Sequence, residues 1–213
     1  MDNFFDSDSW IMVKLGQLGD LIIANLLFVI TSIPLITLGA STTALYAVMK
    51  GPDENVYSSS VFKNYFRAFF ANLKKSTLIL LILLVPGAIV LVNLYILLAG
   101  LMENSVLNYI LCAIPIVVFV FAWNYVFPLT AKFENTIRGT FANAFVLSVL
   151  HLPTTVALTA LNLIPLAVFL FFTNFFYKTL VIWVLLVFAL IAKINSLLLK
   201  RVFDRHMQEP AAV

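Results

Sequence analysis

Charged side chains are scarce in this sequence, at 11% of its 213 residues, where a water-soluble domain carries about 25%. That scarcity excludes an ordinary aqueous globular fold. Cysteine is scarcer still: Cys112 stands alone inside an apolar run, so neither an internal disulfide nor a cysteine-held metal cluster can form. The two histidines, His151 and His206, share no spacing with acids or cysteine that would build a site, and HExxH, GxSxG and glycine-rich phosphate loops are missing. Nucleophile, base and metal-ligand constellations need several ionisable groups together. The expectation is a protein that is not an enzyme and that holds no metal or cofactor. A net charge of +3 and a pI near 9.0 do not argue for a nucleic-acid partner, because positive charge in an apolar chain has to be read loop by loop.

Apolar residues dominate instead, at 62% with a mean hydropathy of +1.04. Five runs are long enough to cross a hydrocarbon core of about 30 Å: 18–38, 77–100, 107–130, 152–172 and 180–199. Helix is the spanning form they support, since they lack the alternating polar face of a membrane barrel. The predicted fold class is all-α, a polytopic helical membrane bundle of about five transmembrane helices forming one integral membrane domain over residues 1–213. The connecting segments set its orientation. Lysines and arginines number ten in alternate segments (Lys50 to Lys75, Lys132 and Arg138, Lys200 to Arg205) against two in the others, Lys14 and Lys178. This predicts an outside amino terminus and a cytoplasmic carboxyl terminus. The first run reads as a retained span, because a secretory signal opens with cations and this chain opens with Asp2, Asp6 and Asp8.

Two segments are not simple spans. Pro34 and Gly39 interrupt the first run, and the short run 40–49 that follows fits either a kinked continuation in the cytoplasmic headgroup layer or a re-entrant hairpin in which Thr37, Ser41, Thr42 and Thr43 line a protein-buried or water-filled path. Over 61–75, Val61, Phe62, Tyr65, Phe66, Phe69, Phe70 and Leu73 fill one half of a helical wheel, with Lys63, Arg67, Lys74 and Lys75 on the other. This predicts a cytoplasmic amphipathic elbow that anchors the second span, its cations facing anionic headgroups or a docking partner. A second elbow is read at Phe141 to Phe145, suggesting a parallel repeat of elbow, span, turn and span.

Polar groups within the spans are few. Asp20 is placed at the outer start of the first span and Lys193 at the inner end of the fifth, too far apart to pair. Asn25, Asn93, Asn124 and Asn162 lie deeper, either binding helices together by hydrogen bonds or lining a polar route. Trp10, Trp123, Trp183, Tyr57, Tyr125 and Tyr177 mostly fall near span boundaries, where amphipathic rings settle.

Trp10, the stretch Leu18-Gly19-Asp20-Leu21-Ile22 and the long stretch from Thr31 through Pro34, Gly39 and Thr43 to Tyr46 resemble the YesL-like family of bacterial integral membrane proteins. So do Phe62 to Asn72, Phe133-Glu134-Asn135 and His151-Leu152-Pro153. The resemblance runs from about Trp10 to the fifth span. It implies a domain of unknown function, often encoded beside carbohydrate-uptake and polysaccharide-degradation genes, with no assigned catalytic or binding residue. The expectation is an accessory or regulatory component of carbohydrate uptake in the bacterial plasma membrane, with the lipid bilayer and carbohydrate ABC transporter subunits as partners and room for a homo-oligomer. The alternative is a small permease or channel subunit that uses the intramembrane polar residues.

Overall fold

The computed structural model describes residues 10–49, 60–100 and 106–208. Asp2, Asp6, Asp8, Lys50 and Tyr57 lie outside the described residues. Helix α1 (Trp10–Ser32) ends just before Pro34, because proline disfavours helical backbone at the residue preceding it. The carbonyls freed at that end find a local partner: the Thr37 hydroxyl lies 2.6 Å from Thr31 O and 2.7 Å from Pro34 O. A 3-10 turn (Leu35–Thr37) leads into α2 (Leu38–Val48). The run 18–38 predicts one interrupted span; it is instead the end of a helix that begins at Trp10, followed by a separate short helix.

Helix α2 is surrounded by protein, burying Gly39, Ala40, Ser41, Thr43, Ala44 and Leu45 against α3 and α4. Close approach to α3 requires glycine at position 39, where a Cβ would stand 2.5 Å from the Ser76 carbonyl oxygen and 3.1 Å from Leu80 and Phe127. One turn further on, the Thr43 and Ser76 hydroxyls meet at 2.9 Å.

Helix α3 (Val61–Leu98) runs unbroken for 38 residues, about 57 Å at 1.5 Å per residue, nearly twice the hydrocarbon thickness. The predicted elbow 61–75 and the span 77–100 are therefore one rod. Pro86 lies within it without ending it, and Gly87 beside it lets Phe119 of α4 approach to 3.2 Å from where a Cβ would be. Helix α4 (Val106–Lys132) returns along α3.

Helix α5 (Ile137–Leu150) starts at Thr136, whose hydroxyl accepts from the Gly139 N–H at 3.1 Å, an N-cap that satisfies one donor of the first turn. It ends at His151, and Leu152–Pro153 opens α6 (Leu152–Phe171) with proline in the first turn, a position where its missing N–H costs nothing. The second elbow is thus hinged to its span while the first is continuous, so the two halves are not built alike. After α7 (Thr173–Lys178) the chain continues as α8 (Leu180–Ile182), a π-helical segment (Trp183–Val187) and α9 (Phe188–Gln208).

Among the described residues, five helical stretches are long and apolar enough to cross a membrane: 12–32, 61–97, 108–132, 152–171 and 180–205. The molecule is an all-α, multi-pass membrane protein. Among the described residues its interior has two apolar clusters. In one, Ala24, Ala40, Ala44, Tyr65, Phe69 and Ala189 join α1, α2, the first half of α3 and α9. The other joins the second half of α3 to α4, α5, α6 and α9 through residues such as Ile79, Leu83, Tyr125, Phe127 and Leu158. Outside, Leu84, Val85, Leu91, Val92, Val156 and Phe171 are exposed, as expected where lipid is the solvent.

Candidate polar site between the spans

Three of the four deep asparagines are engaged between helices, and each engagement has a distinct geometry. Asn25 on α1 reaches the π-helical segment, its Nδ2 donating to Trp183 O at 3.0 Å and to Val184 O at 2.6 Å, while its Oδ1 accepts from Ala189 N–H at 2.6 Å. A π-helical turn widens the helix and disturbs its regular hydrogen bonds. The fully buried Asn25 supplies partners across another helix for backbone groups at that turn.

Asn124 on α4 and Asn162 on α6 belong to a second network. Asn124 Nδ2 donates to the Thr159 hydroxyl at 2.7 Å, and Asn162 Nδ2 donates to Asn124 Oδ1 at 2.8 Å. Asn195 on α9, fully buried, then donates through Nδ2 to Asn162 Oδ1 at 2.8 Å and to the Tyr46 hydroxyl at 3.1 Å. The chain of bonds ties together α2, α4, α6 and α9. Burial pushes the Tyr46 phenol up to about 12, with the Asn195 bond opposing the rise, so the group is a neutral hydroxyl. Asn195 Oδ1 is buried with no hydrogen-bond partner. Asn93 on α3 stands apart from both networks and makes no side-chain hydrogen bond among the described residues.

Beside the second network lies an open-sided cleft of about 250 Å³ between α1, α2, α4, α6 and α9. Phe28, Leu45, Trp123, Leu166, Phe188 and Ile191 form its apolar walls, and Thr42, Tyr46 and Asn162 are its polar lining. Two of these polar residues are those that Asn195 holds.

The cationic face of α3 is arranged differently from its wheel. Lys63, Arg67 and Lys74 are exposed, whereas Lys75 is half-buried and within electrostatic reach of Glu134. The aromatic half-circle divides in two. Val61, Tyr65 and Phe69 are buried against the protein, while Phe62 and Phe70 are 55% and 65% exposed; the half-buried Phe66 lies between them, its ring centroid 4.9 and 6.0 Å from theirs, and packs inward against the same cluster. Asp20 and Lys193, predicted not to pair, form no ion pair with each other, although the packing of α1 against α9 brings their charges within electrostatic reach.

Among the described residues no group of three or more histidine, cysteine or acidic side chains is placed to hold a metal ion. The functional candidates missed in the sequence are Asn195, Tyr46 and Thr159. Asn195 carries the same signal as the other asparagines, an amide inside an apolar run, but stands two residues after Lys193, where the chain reads as leaving the membrane.

Residues 21–94, which include most of α1, all of α2 and nearly all of α3, match the model of a family described as "Protein of unknown function, DUF624", with which the YesL-like resemblance is consistent. No curated protein and no solved structure matches the chain.

Proposed function

From a chain whose residues 21–94 carry the DUF624 match, we propose a non-enzymatic accessory component of carbohydrate uptake that docks on transporter subunits through its cationic and aromatic α3 face. The observation that carries this reading is the exposure of Lys63, Arg67 and Lys74 beside the exposed rings of Phe62 and Phe70, which the half-buried Phe66 bridges. Cations beside stacked rings suit an interface where anionic groups and apolar surface meet, whether a headgroup layer or the membrane-proximal face of a partner. The tie to carbohydrate uptake comes from the YesL-like resemblance. In this reading the protein lies in a bacterial plasma membrane, with its amino terminus outside and its carboxyl terminus cytoplasmic, so that the cationic turns of α3 face the cytoplasm. Engagement of Asn25, Asn124 and Asn162 in hydrogen bonds to the protein itself supports adhesion between helices over a water-filled route.

The test is recovery of the tagged protein in mild detergent from its native host, with mass spectrometry of co-purifying proteins and empty-tag cells as control. Carbohydrate-transporter subunits are expected with the wild type and should be depleted with the triple variant K63Q/R67Q/K74Q at equal membrane abundance. Recovery of the protein alone, under conditions that preserve a known transporter complex, would overturn stable docking. The alternative, a small permease or channel subunit, is favoured by the cleft beside Asn162 and Tyr46. It predicts solute flux in proteoliposomes that Asn162→Leu abolishes.

A further inference from the structure

The cleft and its polar lining make incompatible demands on a bundle that is complete by itself. Asn162 is saturated along one edge, donating to Asn124 and accepting from Asn195. Tyr46 is not: its hydroxyl accepts from Asn195 Nδ2, and its proton goes to no acceptor among the described residues. Thr42, one turn earlier on α2, has the opposite surplus, because it donates its proton to Leu38 O at 2.8 Å and keeps acceptor lone pairs. Asn195 itself does not line the cleft, so the cleft presents one spare donor, Tyr46, and one spare acceptor, Thr42, between walls that are mostly apolar and aromatic and carry no charged side chain.

The geometry points to a binding site for a neutral, hydroxyl-headed lipid drawn from the bilayer. A hydroxyl is a small neutral group that accepts from Tyr46 and donates to Thr42 at once. A carboxylate or phosphate would enter without a cation among the lining residues to offset its desolvation. The volume fits one end of such a molecule. At about 250 Å³ it falls just under the range of ~300–1,000 Å³ that encloses whole drug-sized ligands, so the head and the adjoining methylenes occupy the cleft while the chain leaves by its open side into lipid. Phe28, Leu166 and Phe188 supply the apolar contact for that stretch. This inference does not rest on the docking reading, since it concerns residues remote in sequence from Lys63, Arg67 and Lys74.

The test uses the full chain in nanodiscs with a diazirine-bearing hexadecanol as photoprobe, and the methyl ether of the same probe as comparator. Labelling with the alcohol is expected to saturate, to be competed by unlabelled hexadecanol, and to map to peptides carrying cleft residues. The methyl ether, which accepts but cannot donate, should label those peptides roughly fivefold less, the worth of about one hydrogen bond. Tyr46→Phe should weaken alcohol labelling to a similar degree, and Thr42→Val provides the same comparison should the phenylalanine variant not fold. Equal labelling by alcohol and ether in the wild type would overturn the proposal, as would labelling that does not saturate or that maps outside the cleft. None of these outcomes depends on transporter recovery, so the two proposals fail independently.

Discussion

Asn25 shows how much a single amide can hold in place. Three backbone groups of the last span depend on it, at 2.6 to 3.0 Å, and the bonds to Trp183 and Ala189 are buried. Replacement by leucine keeps the volume and removes every partner. We expect Asn25→Leu to lower stability by about 2 kcal/mol or more, from buried groups left unsatisfied at ~1–3 kcal/mol each, read as a lower midpoint of thermal unfolding in detergent. Asn93→Leu is the contrast, with no change expected beyond a few tenths of a kcal/mol, because that side chain makes no hydrogen bond among the described residues. Gly39 fails for the opposite reason. Gly39→Ala places a methyl group 2.5 Å from the Ser76 carbonyl oxygen, and the rigid backbone on both sides makes overpacking cost about 1–3 kcal/mol. At this scale the sequence was partly legible: an amide in an apolar run announces a need for partners, which is why Asn25, Asn124 and Asn162 stand out. It does not say which partners, and the proximity of Asp20 to Lys193 arises only from the packing of α1 on α9.

At the scale of elements, the cations near positions 74 and 75 give α3 the look of two pieces, a surface helix and a span. Local charge pattern and backbone continuity are separate properties. Charge marks where a headgroup layer would lie, whereas a break needs a proline, a glycine or a lost backbone bond, and residues 70–80 contain neither proline nor glycine. Spin labels placed singly at positions 66 to 82 are expected to show accessibility that keeps a period near 3.6 residues through the whole range; a phase jump between 73 and 77 would restore the elbow. The first apolar run misleads in the reverse direction, since hydropathy continues smoothly across Pro34 while the backbone does not. The α5 start is the better-marked boundary. Thr136→Ala should cost about 1 kcal/mol by removing the hydroxyl that caps Gly139 N–H, measurable in the same unfolding assay.

For the whole molecule, hydropathy was enough to count the crossings, because lipid imposes the same length and polarity on every span. Order within the bundle was not readable, since it depends on small-residue contacts such as Ala24, Ala40, Ala44 and Ala189, which carry no hydropathy signal of their own. Orientation is open to a direct experiment: single cysteines in a Cys112→Ser background, at Lys178 and at Arg138, should differ in labelling by an impermeant maleimide on intact cells. Lys178 is expected to react from outside and Arg138 only after permeabilisation.

The π-helical segment at Trp183–Val187 also acts as a phase-keeper. An α-helix advances about 100° per residue, and a turn that takes up one extra residue spares the helix beyond it that rotation. Excising one residue from 183–187 would let an ordinary helix form and leave Ala192 and Asn195 still facing Tyr46 and Asn162. The same excision from the regular helix between 189 and 194 has no such buffer: it would turn Asn195 away by more than a quarter of a revolution and break the amide relay.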